Sequence, residues 1–175
     1  GQPLHAFDYD LFGTNEIKVR MASPGETIHT LDDKERILTE DDIVITNGTK
    51  AVALGGVMGG LETEIVAASK TVLLESAIFD PYHIRKTSNR LDLRSEASTR
   101  FEREVDPNRT ELALELASDL FSKYASGKVL QGISKVDNSD KKEKKITLTL
   151  FKLNKVLGSD YSLDLIQDTL NRLAF

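Results

Sequence analysis

The hydrophobic pattern of the first half of the chain predicts β-strands joined by turns. In "EIKVRMA" (16–22) apolar residues alternate with charged ones, which is typical of a strand with one buried face. "DIVITNGTKAVAL" (42–54) predicts a hairpin, because Asn47 and Gly48 adopt the positive φ values of a two-residue turn at little cost. Two other stretches have this character: a hairpin over 29–39 that turns at Asp32 and Asp33, and an apolar strand over 70–79.

After Pro81 the pattern acquires a helical period. Helices are predicted over 81–91, where proline takes the first position, and over 94–105. Asp106 and Pro107 are expected to begin a third helix that ends before Gly127. Its apolar residues recur every three or four positions, which predicts a stripe facing the core: Ala113, Leu116, Ala117, Leu120, Phe121 and Tyr124. A strand is expected again over 128–136.

The best domain boundary is the polar segment "DNSDKKEKK" (137–145), which contains no apolar residue. It predicts a domain over 1–136, a charged linker, and the beginning of a second domain over 146–175. A strand, a short helix and another helix that begins after Ser162 are expected in this last part. Neither end has the character of a natural terminus, so we expect a piece of a longer protein.

Composition excludes several classes of protein. The chain has 175 residues, a net charge of −5 and no cysteine, which excludes a disulfide scaffold and a thiolate metal site. No apolar run is long enough to span a membrane, and the three histidines lie too far apart for a local metal motif. The negative charge also argues against nucleic-acid binding by the whole surface.

The segment "LGGVMGG" (54–60) packs four glycines into seven residues. It lacks the dinucleotide pattern GxGxxG, because Val57 stands two residues after Gly55. It also lacks a Walker A loop, because "LE" follows the last glycine. It matches only the short GxxG of some RNA-binding loops. Two interpretations stay open: a tight turn against a neighbour, or a bare backbone that approaches a ligand.

Several other residues invite a structural and a functional interpretation. Glu75 is a single carboxylate in an apolar strand, so it is either ion-paired or exposed, or it recognises a ligand from an apolar pocket. His5 is either packed beside Phe7 or catalytic. Ser95 lacks the GxSxG context of a nucleophile. The seven cations of 83–109 are expected to form salt bridges, with a few free to contact phosphates.

Four stretches together are similar to the β chain of bacterial phenylalanyl-tRNA synthetase. They are "GQPLHAFD" (1–8), "ALGGVMGG" (53–60), the segment 72–107 that begins "VLLESAIFDPYHIRKTSNRL", and "ITLTLFKLNKVLG" (146–158). The resemblance implies an α+β fold, with a layered β/β/α editing domain of mixed sheets and helices packed on one side over 1–136. Residues 146–175 would begin a small α+β domain for which nucleic-acid binding has been suggested.

The resemblance also implies an activity and a site. The family's editing domain hydrolyses tyrosine that has been wrongly esterified to phenylalanine tRNA. Glu75 matches the carboxylate that recognises the tyrosine hydroxyl, Ala97 matches a small residue beside the catalytic water, and Ser95 replaces a common threonine. Relatives add an arginine from before position 1. The implied catalytic residues are His5, Ala97 and Ser95, and the implied substrate-binding residues are Glu75, Gly59, Gly55 and Pro3.

Partners and alternatives follow from the same resemblance. Phenylalanine tRNA and the α chain of a heterotetramer are the expected partners, in the cytoplasm and without a membrane. No metal or cofactor is expected in this part, whereas the full enzyme would use ATP and magnesium for aminoacylation on its other chain. The alternatives are a noncatalytic module that binds tRNA or packs against the α chain, and a small-molecule enzyme that reuses the fold.

Overall fold

The computed structural model describes residues 1–138 and 145–175. The chain divides into two units, Gly1–Ser134 and Lys135–Phe175. Most of the predicted linker, residues 139–144, lies outside the described residues. The proposed domain limits therefore stay predictions, while the α+β class is confirmed.

The strands of the first unit form three sheets in the described part of the chain. A four-stranded sheet has the order β2-β5-β6-β7, and β1-β8 and β3-β4 are two-stranded. The resemblance implies mixed sheets, but every pair described is antiparallel. The strands are β1 (Leu4–Asp8), β2 (Lys18–Met21), β3 (Thr27–Thr30), β4 (Lys34–Ile37), β5 (Ile43–Thr46), β6 (Ala51–Leu54), β7 (Met58–Gly59) and β8 (Val72–Ser76).

The β5–β6 hairpin is confirmed, but its turn is longer than predicted. Thr46 pairs with Ala51, so four residues form the loop instead of two. The Oδ1 atom of Asn47 accepts hydrogen bonds from the backbone N–H groups of Thr49 and Lys50 at 3.2 and 3.1 Å. Gly48 takes a φ of +89°, which a glycine adopts without strain. The asparagine side chain thus stabilises a wider turn than the Asn-Gly pair alone predicts.

Helices follow β8 as the sequence predicts. The side chain of Asp80 accepts a hydrogen bond from the N–H of His83, and Pro81 takes the first turn. Ser95 caps the next helix in the same way. The helices of this unit are α1 (Tyr9–Phe12), α2 (Pro81–Arg90), α3 (Glu96–Phe101) and α4 (Arg109–Tyr124), and a short 3₁₀ helix covers Leu61–Thr63.

Two apolar clusters form the core of the first unit. One joins the four-stranded sheet to α2 and α3, and the other lies between β1, α1 and the same sheet. The fully buried residues of the first cluster include Leu38, Val44, Leu54 and Ile84. Those of the second are Phe7, Phe12, Ile45, Val52 and Ala53. The four-stranded sheet therefore contributes to both clusters.

The prediction that the apolar stripe of α4 faces the core is wrong. No residue of α4 is buried, and Leu116 and Tyr124 are 59% and 72% exposed. The helix does contact β8, where the Ser76 hydroxyl donates a hydrogen bond to the Thr110 carbonyl at 2.7 Å. Helical spacing shows that a face is apolar, but it does not show which surface covers that face. The strand predicted over 128–136 does not form either.

The second unit contains two helices in its described part, α5 (Leu150–Leu157) and α6 (Leu163–Arg172). Ser162 caps α6 as predicted, since its side chain accepts a hydrogen bond from the N–H of Leu165. The strand predicted ahead of α5 does not form over 146–149. No helix among the residues described is long and apolar enough to cross a membrane.

Asp42 is a fully buried carboxylate that joins the start of β5 to α2. It accepts hydrogen bonds from the N–H of Thr39 at 2.7 Å and the hydroxyl of Thr87 at 2.6 Å, and it pairs with Arg90. Because its oxygens have partners, the cost of burying the charge is offset. This network fixes α2 against the four-stranded sheet.

We expect Asp42→Ala to lower the free energy of unfolding by about 3 kcal/mol, because it leaves Arg90 and Thr87 without their acceptor. The neighbouring Asp41→Ala is the control. It removes only an exposed pair with Lys86 and should cost less than about 1 kcal/mol. Urea denaturation followed by circular dichroism measures both. Equal losses in the two variants would contradict the structural role assigned to Asp42.

Candidate functional site

The glycine segment, residues 54–60, forms the turn between β6 and β7. Leu54 pairs with Met58, and the N–H of Val57 donates to the carbonyl of Leu54 at 3.1 Å. Gly56 has a φ of +69°, a conformation that other residues adopt only with strain. The interpretation as a tight turn is therefore confirmed.

The same segment also lies against aromatic side chains with no room for a Cβ atom. A Cβ on Gly59 would come within 2.4 Å of the Cε1 atom of His5, and one on Gly55 within 2.8 Å of the Phe79 ring. A Cβ on Gly56 would also come within 2.8 Å of the Phe79 ring. The bare backbone thus serves a second purpose, because it allows two rings to pack directly on it.

His5 lies in β1 with its ring against this bare backbone. The ring meets Phe7 edge to face, with centroids 4.4 Å apart. Burial lowers the pKa of His5, because a charged imidazolium loses its hydration there. The imidazole is therefore neutral at neutral pH, with one nitrogen able to accept a proton and the other able to donate one.

Glu75 lies directly opposite His5 in the antiparallel pair of β1 and β8. Residues opposite each other in such a pair place their side chains on the same face. The Oε2 atom of Glu75 is buried and has no hydrogen-bond partner among the residues described. Burial raises the pKa of Glu75 to about 7. No salt bridge to Glu75 occurs in the described part of the chain, which leaves the functional interpretation in place.

Ser95 connects α3 to the glycine segment. Its hydroxyl donates a hydrogen bond to the carbonyl of Val57 at 2.6 Å and accepts one from the N–H of Ser98 at 3.0 Å. The hydroxyl is thus engaged on both sides. Ala97, two residues further along α3, packs at the edge of the larger core cluster.

The structure brings together some of the residues that the resemblance implies and leaves others apart. His5, Gly59 and Glu75 lie on or against one face of the β1–β8 pair, and Ser95 reaches the glycine segment through Val57. Ala97 packs instead against the larger core cluster, and Pro3 directly precedes β1. The roles of all seven site residues stay predictions.

Two residues that the sequence did not single out also belong to this region. Phe79 packs on Gly55 and Gly56, and the Oε1 atom of Gln2 is buried without a partner among the described residues. Phe79 is the last residue of the apolar stretch 70–79, which predicts that it is buried but not where it packs. Gln2 carried none, because its environment depends on Ala77, 75 positions away.

The cations of 83–109 are mostly paired, as predicted for a salt-bridged surface. Their pairs are Lys86–Asp41, Arg90–Asp42, Arg94–Glu102, Arg100–Glu96 and Arg109–Asp106. Within the described residues, no group of three or more histidines and carboxylates could hold a metal ion.

Comparison with known proteins gives a consistent result. The family model of the B3/4 domain matches residues 1–126. The chain is 51% identical over 162 residues to a phenylalanine-tRNA ligase beta subunit of Bacillus cereus, covering 93% of this chain and 20% of the relative. It is 50% and 49% identical over 175 residues to the beta subunits of Bacillus licheniformis and Bacillus subtilis. All of this chain and 22% of each of those relatives are covered, so the chain spans about a fifth of their length.

We expect Gly59→Ala to displace the His5 ring, because the new methyl carbon would lie only 2.4 Å from its Cε1 atom, well inside van der Waals contact. The displaced ring would be better hydrated, so its pKa should rise toward the ordinary value of about 6.5. The chemical shift of the Cε1 proton, followed by NMR against pH, measures this change. An unchanged His5 titration would contradict the close contact.

Gly60→Ala, at the neighbouring position, should instead affect mainly the stability of the fold. A Cβ on Gly60 would come within 2.4 Å of the carbonyl oxygen of Val52, which is backbone and cannot rotate away. We therefore expect Gly60→Ala to lower the urea midpoint of unfolding more than Gly59→Ala does.

We expect Glu75→Gln to stabilise the protein more at pH 8 than at pH 5, by about 2 kcal/mol. The folded-state pKa of about 7 lies above that of an unfolded glutamate, so the folded protein binds more protons between the two values. Stability of the parent protein therefore falls as the pH rises through this window, and glutamine removes that loss. Urea denaturation at both pH values tests it, with the exposed Glu64→Gln as the control. A difference that does not depend on pH would contradict the burial of the carboxylate.

Proposed function

The chain belongs to the B3/4 domain family, and we propose that it is the editing part of a phenylalanine-tRNA ligase beta subunit. In this proposal it hydrolyses the ester bond that joins tyrosine wrongly to phenylalanine tRNA. The observation that carries the proposal is the buried carboxylate oxygen of Glu75, which has no partner among the described residues and lies across from a neutral histidine.

The partnerless carboxylate supports recognition of tyrosine. Tyrosine and phenylalanine differ by one hydroxyl, and an apolar pocket rejects an added hydroxyl poorly. A site that requires the hydroxyl discriminates better, because the phenol donates a hydrogen bond to Glu75 and phenylalanine has nothing to donate. A buried acceptor left without its donor costs about 1–3 kcal/mol.

His5 is the residue best placed to act on water. Its imidazole is neutral because burial lowers its pKa, so a ring nitrogen can accept a hydrogen bond from a water molecule that attacks the ester carbonyl. The water oxygen forms the new bond to the carbonyl carbon, the bond to the ribose oxygen breaks, and the proton passes to that oxygen. His5 orients the water in this proposal, and a neighbouring ribose hydroxyl of the tRNA assists the transfer.

Ser95, Ala97 and the glycines shape the pocket. The Ser95 hydroxyl already donates to the Val57 carbonyl, so we assign it the positioning of α3 against the glycine segment. Ala97 leaves room for substrate at the edge of α3. Gly59 and Gly55 shape the pocket indirectly, because they let the rings of His5 and Phe79 pack on the backbone. Pro3 fixes the chain where β1 begins.

The partners of the complete enzyme belong to the same proposal. They are phenylalanine tRNA and an α chain, in the cytoplasm. ATP and magnesium are assigned to aminoacylation in the rest of the enzyme.

One observation favours a second candidate function. Leu112, Leu116 and Leu120 of α4 are exposed on one helical face, which suits packing against another part of the synthetase. A noncatalytic packing module would have this face without needing a partnerless carboxylate. The two candidates therefore differ in whether Glu75 matters for hydrolysis.

We expect Glu75→Ala to slow hydrolysis of Tyr-tRNA(Phe) at least about tenfold, because the phenol loses its acceptor. Ala97→Trp should slow it as well by filling the pocket. Release of labelled tyrosine measures the rates, and the exposed Glu64→Ala is the matched control. Folded variants that react as fast as the parent would show that the site is misassigned, and a parent without hydrolysis would favour the packing module.

A further inference from the structure

Two of the seven cations of 83–109 form no ion pair within the described part of the chain, Arg85 and Arg103. The guanidinium of Arg85 donates a hydrogen bond to the backbone carbonyl of Glu102 at 3.1 Å, which joins α2 to the end of α3. A neutral carbonyl accepts that bond, so the charge of Arg85 is not balanced by it. The sequence predicts that a few cations of this stretch stay free for phosphates, and these two have no carboxylate partner.

Both arginines line one cavity together with an exposed tyrosine. The ring of Tyr82 is 64% exposed, and the Nζ atom of Lys86 lies 5.9 Å from its centroid. We call this space, with a volume of about 380 Å³, the Tyr82 cavity. Its lining residues are Pro81, Tyr82, Arg85, Glu102, Arg103 and Glu104.

An exposed aromatic ring beside arginines has the chemistry that binds single-stranded nucleic acid. The bases stack on the ring whatever their sequence, because every base has a flat π face. The guanidinium groups bond to the phosphates of the backbone, two N–H donors to one phosphate group. The net charge of −5 argues against binding by the whole surface, so a local group of this kind is where we expect a nucleic acid to be held.

The two carboxylates of the Tyr82 cavity are compatible with RNA. Glu102 pairs with Arg94 at 3.4 Å, so its charge is already balanced. Glu104 follows the end of α3 and lines the cavity beside Arg103. A carboxylate accepts a hydrogen bond from a ribose 2′-hydroxyl, a group that RNA has and DNA lacks.

The Tyr82 cavity lies next to the elements that build the candidate site. The rings of Phe79 and Phe101 meet edge to face with centroids 5.1 Å apart, and both lie against Gly56 of the glycine segment. Pro81 follows Phe79 by two residues, and Glu102 follows Phe101 directly. The chain therefore runs from this pair of rings straight into the lining of the cavity on both sides.

We infer that the Tyr82 cavity binds the single-stranded 3′ end of the tRNA, with a base stacked on Tyr82 and backbone phosphates bonded to Arg85 and Arg103. This inference rests on the editing function proposed above and adds the place where the RNA part of the substrate is held. The nucleotides bound there precede the esterified adenosine, because the ester itself has to lie at His5.

The test compares two substrates of the complete synthetase, Tyr-tRNA(Phe) and the tyrosyl ester of adenosine. The second keeps the ester and the phenol but has no phosphate and no preceding nucleotide. Tyr82→Ala should lower kcat/KM for the tRNA about tenfold relative to that for the adenosine ester. Tyr82→Phe keeps the ring and should restore most of that ratio. Arg103→Gln should lower the ratio as well, because a phosphate loses its cation.

The salt dependence gives a second and independent readout. Each phosphate contact to a single strand adds about 0.7 to the slope of log affinity against log salt concentration. Arg103→Gln should therefore reduce the slope of log kcat/KM for Tyr-tRNA(Phe) by about 0.7. Lys18→Gln is the control, because it removes the same charge from β2, which contributes no residue to the cavity. The salt slope decides the question by itself if the adenosine ester reacts too slowly to follow.

The ratio of the two substrates separates RNA binding from damage to the site, since a partly unfolded variant loses activity on both. An unchanged ratio and an unchanged salt slope in the variants would overturn the inference while the editing function stands. Equal slowing of both substrates, with dissociation of the synthetase in size-exclusion chromatography, would also overturn it, because the cavity would then contact protein. A parent enzyme that hydrolyses neither substrate would overturn the editing function, and the inference with it.

Discussion

The close approach of the glycine segment to its neighbours is the constraint on which the rest of the site depends. His5 can lie against β7 only because Gly59 has no Cβ atom, and Phe79 can pack there only because Gly55 and Gly56 have none. The hydrogen bond from Ser95 to the Val57 carbonyl then fixes α3 against the same turn. One bare stretch of backbone thereby positions a histidine, an aromatic ring and a helix N-terminus, and a side chain at Gly59 would displace the histidine first.

Asp42 and Glu75 are both buried carboxylates, but only Asp42 has the hydrogen-bond partners expected of a residue that stabilises the fold. Asp42 is fully buried, and its oxygens accept hydrogen bonds from backbone, hydroxyl and guanidinium donors. The buried oxygen of Glu75 has no donor among the described residues. A carboxylate that only stabilised the fold would be partnered as Asp42 is, since an unmatched buried charge costs free energy of folding. Buried ionisable groups without partners occur mainly at binding and catalytic sites, which is why the functional proposal rests on Glu75.

Local features of the fold could be predicted from the sequence, and long-range ones could not. Asn47, Asp80 and Ser95 act on residues two or three positions away, so the hairpin and the helix starts were predictable. The open face of α4 and the missing strand over 128–136 depend on partners distant in the chain, and both predictions were wrong. The site divides in the same way. A lone carboxylate among apolar residues made Glu75 conspicuous, whereas the packing of Phe79 on Gly55 and Gly56 arises only once residues more than 20 positions apart are brought together by the fold.

The pKa of Glu75 explains how the fold tolerates a buried carboxyl group without a hydrogen-bond donor among the described residues. At a pKa of about 7 the group exchanges its proton readily at neutral pH, and the protonated form is far cheaper to bury than the charged one. A phenol can bond to either form: it donates to the carboxylate and accepts from the acid. Phenylalanine can do neither. In the proposed function, the burial that weakens the fold at Glu75 is also what makes the site depend on the single hydroxyl that distinguishes tyrosine from phenylalanine.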